Sequence, residues 1–508
     1  MSQFPIDFSQ FWKDGRYFAQ VPTFNPLQKK TPSDGSLVGD VVAVTTDLLG
    51  GSYKLGTVAS PLKPLKPHDE LEVYDALTQI LPVLSTQSDF YWKLVGRSLA
   101  SQLSTAKYPI RSQTSHLVFW WARLGGIMGA TSIAGRVGGQ SDCTSDGSNL
   151  EYSWAIPRNT DPAEDSNRRI RFTIDPFHPE FGHRIAGGAV LDYLYSDEGS
   201  LGLIKKEPGS KDWKDTIEKW LFPNIASTEE LVEGATYMIA FDMEPSGEIT
   251  LKMYYLPPYP PLHGSAPKDQ VAAYRVTDNM EPFKKLVKQL HPSLEAPFKM
   301  FSDYIAGPGK DSGMMWVMIA CDIINLEKNR LKLYMISQRT TLKDMIYDMT
   351  LGGQLTGPRV DDAMKNFAKF FTRLFPYAKS DDTALVHENN IPEADEDGRL
   401  VRSGVPMMYY YEFFVGELVP YPKIYFFMDH FSKNDLETAK STELFFKDIG
   451  KPGHDGWLTE ALAHANPHRP LEKRNGLHTM VSFGTKPTGW EVTNYYSAEV
   501  YAAERHAI

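Results

Sequence analysis

A strand pattern of cation, any residue, then tyrosine recurs along this chain at long intervals, and it limits the fold more than any other feature. Its clearest copy lies in Asn329–Gln338, NRLKLYMISQ. Alternate side chains of a strand share a face. Arg330, Lys332 and Tyr334 therefore point one way, and Leu331, Leu333 and Met335 the other. A single strand of this kind reads most simply as a half-buried edge guarded by its lysine. The repeats change that reading. Lys252-Met253-Tyr254 and Lys423-Ile424-Tyr425 carry the same pattern, and Arg171-Phe172-Thr173 is a weaker copy.

Each copy closes a pair of predicted strands. The pairs are Asn149–Ile156 with Arg169–Asp175, Tyr237–Met243 with Glu248–Leu256, Met314–Ile323 with Arg330–Ser337, Met407–Gly416 with Lys423–Met428, and His478–Gly484 with Trp490–Ala498. Glu244-Pro245-Ser246-Gly247 supplies the turn of the second pair. The marker positions Thr173, Tyr254, Tyr334, Tyr425 and Tyr495 lie 81, 80, 91 and 70 residues apart. A period this long makes each repeat one supersecondary unit. Helical spacing fills the intervals at Asp269–Gln289, Asp361–Leu374 and Leu436–Lys447, and also Pro67–Leu103 and Thr114–Met128. The expected fold is an α/β single-domain barrel spanning 69–508, with about ten antiparallel strands closed on themselves and helices outside. Such a barrel is wide enough to hold ligands. Its cation-and-tyrosine faces would line the lumen. Residues 1–68, rich in Gly, Pro and Ser, read as an N-terminal extension of uncertain order, with a β-like piece at Gly39–Thr46.

The bulk numbers set the background. The net charge of −10 over 508 residues gives no basic field for nucleic acid or an anionic membrane. Two cysteines, Cys143 and Cys321, fit a reducing compartment and no disulfide framework. No leader-like N-terminus and no run of about 18 apolar residues is present, so a cytoplasmic location is expected. Asp381–Asp397 reads as a solvated acidic loop.

Buried cations need counter-charges. On the lumen faces Glu151 and Asp242 are the visible acids, so the missing anion reads as a ligand. Arginine forks and lysine point charges suit phosphate or pyrophosphate. Tyrosine rings two residues from each cation stabilise a positive centre and exclude water. An anion clamp beside an aromatic cage is what ionisation of an allylic diphosphate requires. Glu151 can accept a hydrogen bond from a nucleophile, although a strand carboxylate is as readily a surface group. Other motifs fall away. Gly307-Pro308-Gly309-Lys310-Asp311-Ser312-Gly313 lacks phosphate-loop spacing and reads as a turn. The glycines of 125–139 match no dinucleotide fingerprint. Asp361-Asp362 and Asp381-Asp382 do not extend to the DDxxD of magnesium-dependent prenyl enzymes. HExxH and GxSxG are absent, and His478 reads as structural.

The segments SDGSNLEYSWAI, RIRFTIDP, LKMYYLP, NRLKLYMISQRTTLKDMIYDMTLGG, YYYEFFVGELVPYPKIYFFMDHFSKND and LHTMVSFGTKPTGWEVTNYYS resemble, in order, the fungal dimethylallyltryptophan synthase-type aromatic prenyltransferases. The resemblance covers about Pro67 to Tyr501. It implies the αββα prenyltransferase barrel and metal-independent prenyl transfer to an electron-rich aromatic ring, with no cofactor besides the prenyl diphosphate co-substrate. It implies diphosphate binding by Arg171, Lys252, Arg330, Lys332, Lys423 and Lys486. Tyr254, Tyr334, Tyr425 and Tyr495 would shield the carbocation, and Glu151 would anchor the acceptor. The next tyrosine of the family's pattern falls here at Glu491 or Trp490, a departure. Family members acting on free tryptophan carry a lysine where Met238 stands and a carboxylate-binding arginine where Val317 stands. Both departures point to a neutral acceptor, such as a tryptophan-containing cyclic dipeptide or an indole terpenoid. A bulky residue at Met408 goes with C5 donors, hence dimethylallyl diphosphate. The expected partners are these two small molecules, with neither nucleic acid nor membrane; a homodimer is left open. The rival readings are prenylation of a non-indole polycyclic phenol, and a non-catalytic barrel that binds an aromatic or phosphorylated metabolite.

Overall fold

The computed structural model describes residues 18–19, 31–50, 53–57, 71–129, 131, most of 141–158, 169–179, 184–221, 236–256, 280–385, 407–451 and 456–506. Ten antiparallel strands form a closed barrel in which each strand pairs with its sequence neighbour and β1 pairs with β10. They are β1 Leu150–Pro157, β2 Ile170–Ile174, β3 Thr236–Met243, β4 Ile249–Leu256, β5 Met315–Asp322, β6 Arg330–Ser337, β7 Met407–Phe414, β8 Tyr421–Phe427, β9 His478–Lys486 and β10 Gly489–Ser497. The expected barrel is therefore present, strand pair by strand pair. Closure removes every sheet edge, so the lysine of β6 guards no edge and points inward.

The outward faces are apolar because helices cover them. Helix Pro358–Leu374 places Phe367, Phe370, Phe371 and Leu374 on one side, at the spacing of a helical stripe. Phe367 and Phe371 meet Phe426 of β8, while Phe367 and Phe370 meet Phe483 of β9. Each fully buried phenylalanine contributes about 1.5–3 kcal/mol. Helix Asp435–Asp448 packs beside it, and Phe445 touches Trp490 of β10. Helix Glu281–Leu290 covers the expected Asp269–Gln289 from its second half; residues 269–279 lie outside the described residues. Within 67–103, helices Glu72–Ile80 and Thr86–Tyr91 are followed by a π turn, Trp92–Gly96, that runs into Arg97–Thr105. The Gly307–Gly313 stretch is a turn with one 3-10 helix, Lys310–Ser312. Of the acidic 381–397 segment, 381–385 form a turn and the rest lies outside the described residues.

One local expectation is overturned. Gly39–Thr46 is not β-like but part of helix Leu37–Leu49. Ser36 caps it by accepting from the Gly39 amide. The β-branched residues that suggested a strand fit the helix for two reasons. Val41, Val44 and Leu48 make its buried stripe against helix Ile110–Phe119. Thr45 and Thr46 donate their hydroxyls to the carbonyls of Val41 and Val42.

Candidate active site

The interior is built by five hairpins that each place one pair of side chains at the same depth. Cα pairing puts Tyr254 opposite Met238, Tyr334 opposite Met318, Tyr425 opposite Met408, and Tyr495 opposite Met480. The first hairpin departs from the rule, with Glu151 opposite Thr173. Glu151 thus takes the methionine position of its repeat. A second layer lies two residues along each strand, because strand periodicity returns every second side chain to the lumen. There Lys252 faces Ala240, Lys332 faces Ala320, Lys423 faces Tyr410 and Arg171 faces Ser153. Ala240, Ala320 and Ser153 leave room for the long cations opposite them, while Lys423 lies against the Tyr410 ring.

The cation layer surrounds a chamber of about 390 Å³. Arg171, Lys252, Arg330, Lys332, Lys423 and Lys486 all line it together with Arg169, as do Asp242, Glu412 and Glu491, while Asp322 pairs with two of these cations without lining the chamber. Lys252 Nζ lies 2.5 Å from Asp242, and Arg171 Nε 3.6 Å from the same carboxylate. Asp322 holds Arg330 at 2.7 Å and Lys332 at 2.9 Å. Glu412 holds Arg330 at 2.8 Å and Lys486 at 2.7 Å. Glu491 holds Lys423 at 2.9 Å and stands 3.5 Å from Lys486. The expectation that Glu151 and Asp242 are the visible lumen acids is corrected here, since Asp322, Glu412 and Glu491 supply internal counter-charge. With Arg169 paired to Glu244 at 3.4 Å, the six other lining cations against Asp242, Glu412, Glu491 and the non-lining Asp322 still leave two positive charges over.

These charges hold one another in place. Burial pushes the Asp322 carboxyl up, but Arg330 and Lys332 hold it well below the carboxylate range. Burial likewise opposes ionisation of Glu491, and Lys423 and Lys486 override it. Lys332 is the weak member: burial, with Arg330 beside it, lowers its ammonium to about 8.

The tyrosines form a floor to this chamber. Ring centroids of Tyr254 and Tyr334 lie 6.1 Å apart, Tyr334 and Tyr425 6.1 Å, and Tyr425 and Tyr495 5.6 Å. Tyr410 joins them, 5.4 Å from Tyr334 and 5.9 Å from Tyr425. Burial holds the phenols of Tyr254, Tyr334, Tyr410 and Tyr425 far above neutrality, so these stay uncharged. The rings already bear a positive centre. Lys423 Nζ stands 5.5, 5.7 and 5.9 Å from the centroids of Tyr410, Tyr425 and Tyr495.

Beyond the floor lies a smaller, mainly apolar chamber of about 120 Å³. Thr173, Tyr254, Tyr334, Tyr425 and Tyr495 line both chambers. Met238, Met318, Met408 and Met480 line only the second, with Cys143 and Glu151. Glu151 is its one charged residue among those described. Thr479 donates its hydroxyl to Glu151 Oε1. Burial pushes the Glu151 carboxyl up to about 8, an effect that this hydrogen bond only partly offsets. Val317 is corrected as an acceptor-pocket residue. A bulge between Trp316 and Met318 interrupts the β5–β6 register, and Val317, fully buried, lines neither chamber. Met318 takes the wall position instead.

Four residues of the cation-and-tyrosine network escaped the cation-tyrosine pattern because they sit on first strands or at a departure. Asp322 belongs to Met318-Ile-Ala320-Cys-Asp322, which repeats Met238-Ile-Ala240-Phe-Asp242. That five-residue echo is a signal that finds it. Tyr410 and Glu412 lie in Met407–Phe414, MMYYYEFF, where both faces are aromatic and alternation marks no inside. Glu491 stands on a repeat with charges exchanged between strands, the cation Lys486 being on the first.

A closed ten-stranded barrel with helices outside is also the fold of solved aromatic prenyltransferases. AnaPT from Neosartorya fischeri superposes with a TM-score of 0.61 at 18% identity, over 84% of this chain and 97% of that one. NotF, solved in complex with brevianamide F and DMSPP, superposes with a TM-score of 0.59 at 17% identity, over 87% and 99%. A 7-dimethylallyltryptophan synthase of Aspergillus fumigatus is 24% identical over 452 residues, 85% of this chain and 90% of its own. The 4-O-dimethylallyl-L-tyrosine synthase of Claviceps purpurea is 23% identical, over 80% and 86%. Residues 87–459 match the family model described as tryptophan dimethylallyltransferase. The chain belongs to that family and is a prenyltransferase enzyme.

Proposed function

We propose that the enzyme transfers a dimethylallyl group from dimethylallyl diphosphate to a neutral indole-containing acceptor other than free tryptophan. One observation carries this reading: the tyrosine floor is shared by a cationic chamber on one side and an apolar chamber with a single carboxylate on the other. In this mechanism Arg171, Lys252, Arg330, Lys332, Lys423 and Lys486 bind the diphosphate and stabilise the charge it gains as the allylic C–O bond breaks. The tyrosine faces stabilise the allyl cation and keep water from it. The aromatic ring attacks from the apolar side, forms the new bond to carbon as the C–O bond to pyrophosphate breaks, and passes its ring proton to the released pyrophosphate. Glu151 in its ionised form accepts the indole N–H and raises the ring's electron density. The acceptor assignment rests on the lining of the second chamber. No arginine or lysine stands among its described residues to meet an amino-acid carboxylate. Met408 beside Tyr425 closes the space behind the floor and favours the C5 donor.

The test is incubation with dimethylallyl diphosphate and EDTA against a panel of indoles, phenols and free tryptophan, with products identified by mass spectrometry. Prenylated neutral indole is the expected product. Preferential turnover of a polycyclic phenol or of free tryptophan refutes the acceptor assignment, and dependence on Mg²⁺ refutes the cation clamp. Among the described residues no group of three His, Cys, Asp or Glu is arranged to hold a metal ion.

A further inference from the structure

Lys423 of β8 and Glu491 of β10 are separated by a whole strand, yet their side chains touch. Both are the Cα partners of the same residue, Gly484 of β9. A Cβ on residue 484 would stand 2.7 Å from Lys423 Cε and 3.0 Å from its Cβ. The glycine is therefore the gap across which Lys423 lies to reach Glu491 at 2.9 Å and the Thr493 hydroxyl at 3.1 Å. Lys423 is also the cation centred on three tyrosine rings, at the level where the leaving group separates. Arg330 and Lys486 each divide between two carboxylates. Among the described residues Glu491 is the one carboxylate within 4 Å of Lys423.

We propose that Glu491 is an internal competitor of the diphosphate for Lys423, held in reach by Gly484, and that it sets how tightly the chamber binds donor and how readily it releases pyrophosphate. This rests on the reading of the cation chamber as the diphosphate site. Each anion that takes Lys423 displaces the other, because one ammonium in a buried site cannot fully serve two anions that repel each other. The exchange limits donor affinity below what six cations alone would give. It also supplies a restoring partner: after transfer, Lys423 returns to Glu491 and the pyrophosphate loses its contact beside the tyrosines.

The test is calorimetric titration of the full-length enzyme with inorganic pyrophosphate, with folding checked by circular dichroism. Glu491→Gln removes the competing charge, and pyrophosphate is expected to bind roughly tenfold tighter. Gly484→Ala keeps every charge but fills the gap under Lys423, and tighter binding is expected there too. Wild-type or weaker affinity in folded Glu491→Gln overturns the proposal. Tightening in Glu491→Gln but not in Gly484→Ala overturns the capture of Lys423, leaving only field repulsion. If Glu491→Gln does not fold, Gly484→Ala decides alone. Arg330→Ala separates the two levels. If wild type binds pyrophosphate and Arg330→Ala does not, the chamber assignment stands and only the role of Glu491 is at stake. If wild type does not bind it, or Arg330→Ala binds it equally well, the chamber assignment falls and this proposal with it.

Discussion

Glu151 carries a conflict between what its surroundings favour and what the proposed reaction needs. Its carboxyl is pushed up to about 8 by burial, whereas accepting a proton bond from indole requires the ionised form. The acceptor kcat/KM is therefore expected to rise with pH through about 8, since this ratio reports the free enzyme. Lys332, lowered to about 8, acts in the opposite sense. The donor kcat/KM should fall as that ammonium is lost. Separate pH profiles for the two substrates check both limbs. Stability follows the same carboxyl. Between about 4.5 and 8 the native state holds a proton that the unfolded chain lacks, so Glu151 makes stability fall as pH rises through that window. Glu151→Gln keeps an acceptor for Thr479 and removes this slope. It is expected to lose about 100-fold or more in indole turnover while gaining on the order of 1–3 kcal/mol at pH 8. A melting series across pH, run beside the assay, tests both; unchanged turnover removes Glu151 from the mechanism. Met408, opposite Tyr425, gives a simpler prediction. Met408→Ala should raise the ratio of geranyl to dimethylallyl transfer, and a wild type that already prefers geranyl diphosphate contradicts the reading of this position.

At the level of elements, the β5 bulge decides which residue an engineer should change. Met318→Arg places a guanidinium in the apolar chamber and is expected to lower KM for free tryptophan relative to neutral indoles. Val317→Arg puts a charge outside both chambers in a fully buried position and should cost about 3 kcal/mol or more. Denaturation midpoints and tryptophan kinetics of the two variants distinguish them; improved tryptophan use by Val317→Arg rejects this account of the bulge. The same strand shows what the sequence could convey. Period-two alternation of unlike residues, as in Arg330–Ser337, displays its inside directly. Val317 came from the family resemblance, but it stands an odd number of residues from Asp322 and so faces away from it, whereas Met318, an even step away, shares its face. Strand β7 hid Tyr410 and Glu412 for another reason: its two faces have the same chemistry. The helix Leu37–Leu49 looked β-like because valine and threonine propensity is weak against a good N-cap and a buried stripe. The cation-and-tyrosine face was thus legible in its repeats, while its internal counter-ions and the methionine wall required the register.

For the whole molecule, an excess of two positive charges, counted with Asp322 and with Arg169 paired to Glu244, sits inside a chain whose net charge is −10. The proposed attraction for a diphosphate is therefore local, and is expected to resist salt more than a surface site would. Raising NaCl from 50 to 300 mM should raise the donor KM less than about threefold, whereas a rise as large as that of an exposed cation patch speaks against an enclosed site. None of the described helices is long and apolar enough to cross a membrane. The closing pair of strands sets a further condition. Glu151 of β1 pairs with Ser497 of β10, so the seam joins segments separated by most of the barrel's sequence. Loop closure over such a distance is slow compared with forming local helices and hairpins. During refolding from denaturant, far-ultraviolet ellipticity should return well before catalysis. Until the seam forms, Glu151 and Tyr495 belong to opposite ends of an open sheet. On that expectation, the return of catalytic activity times the closing of the seam.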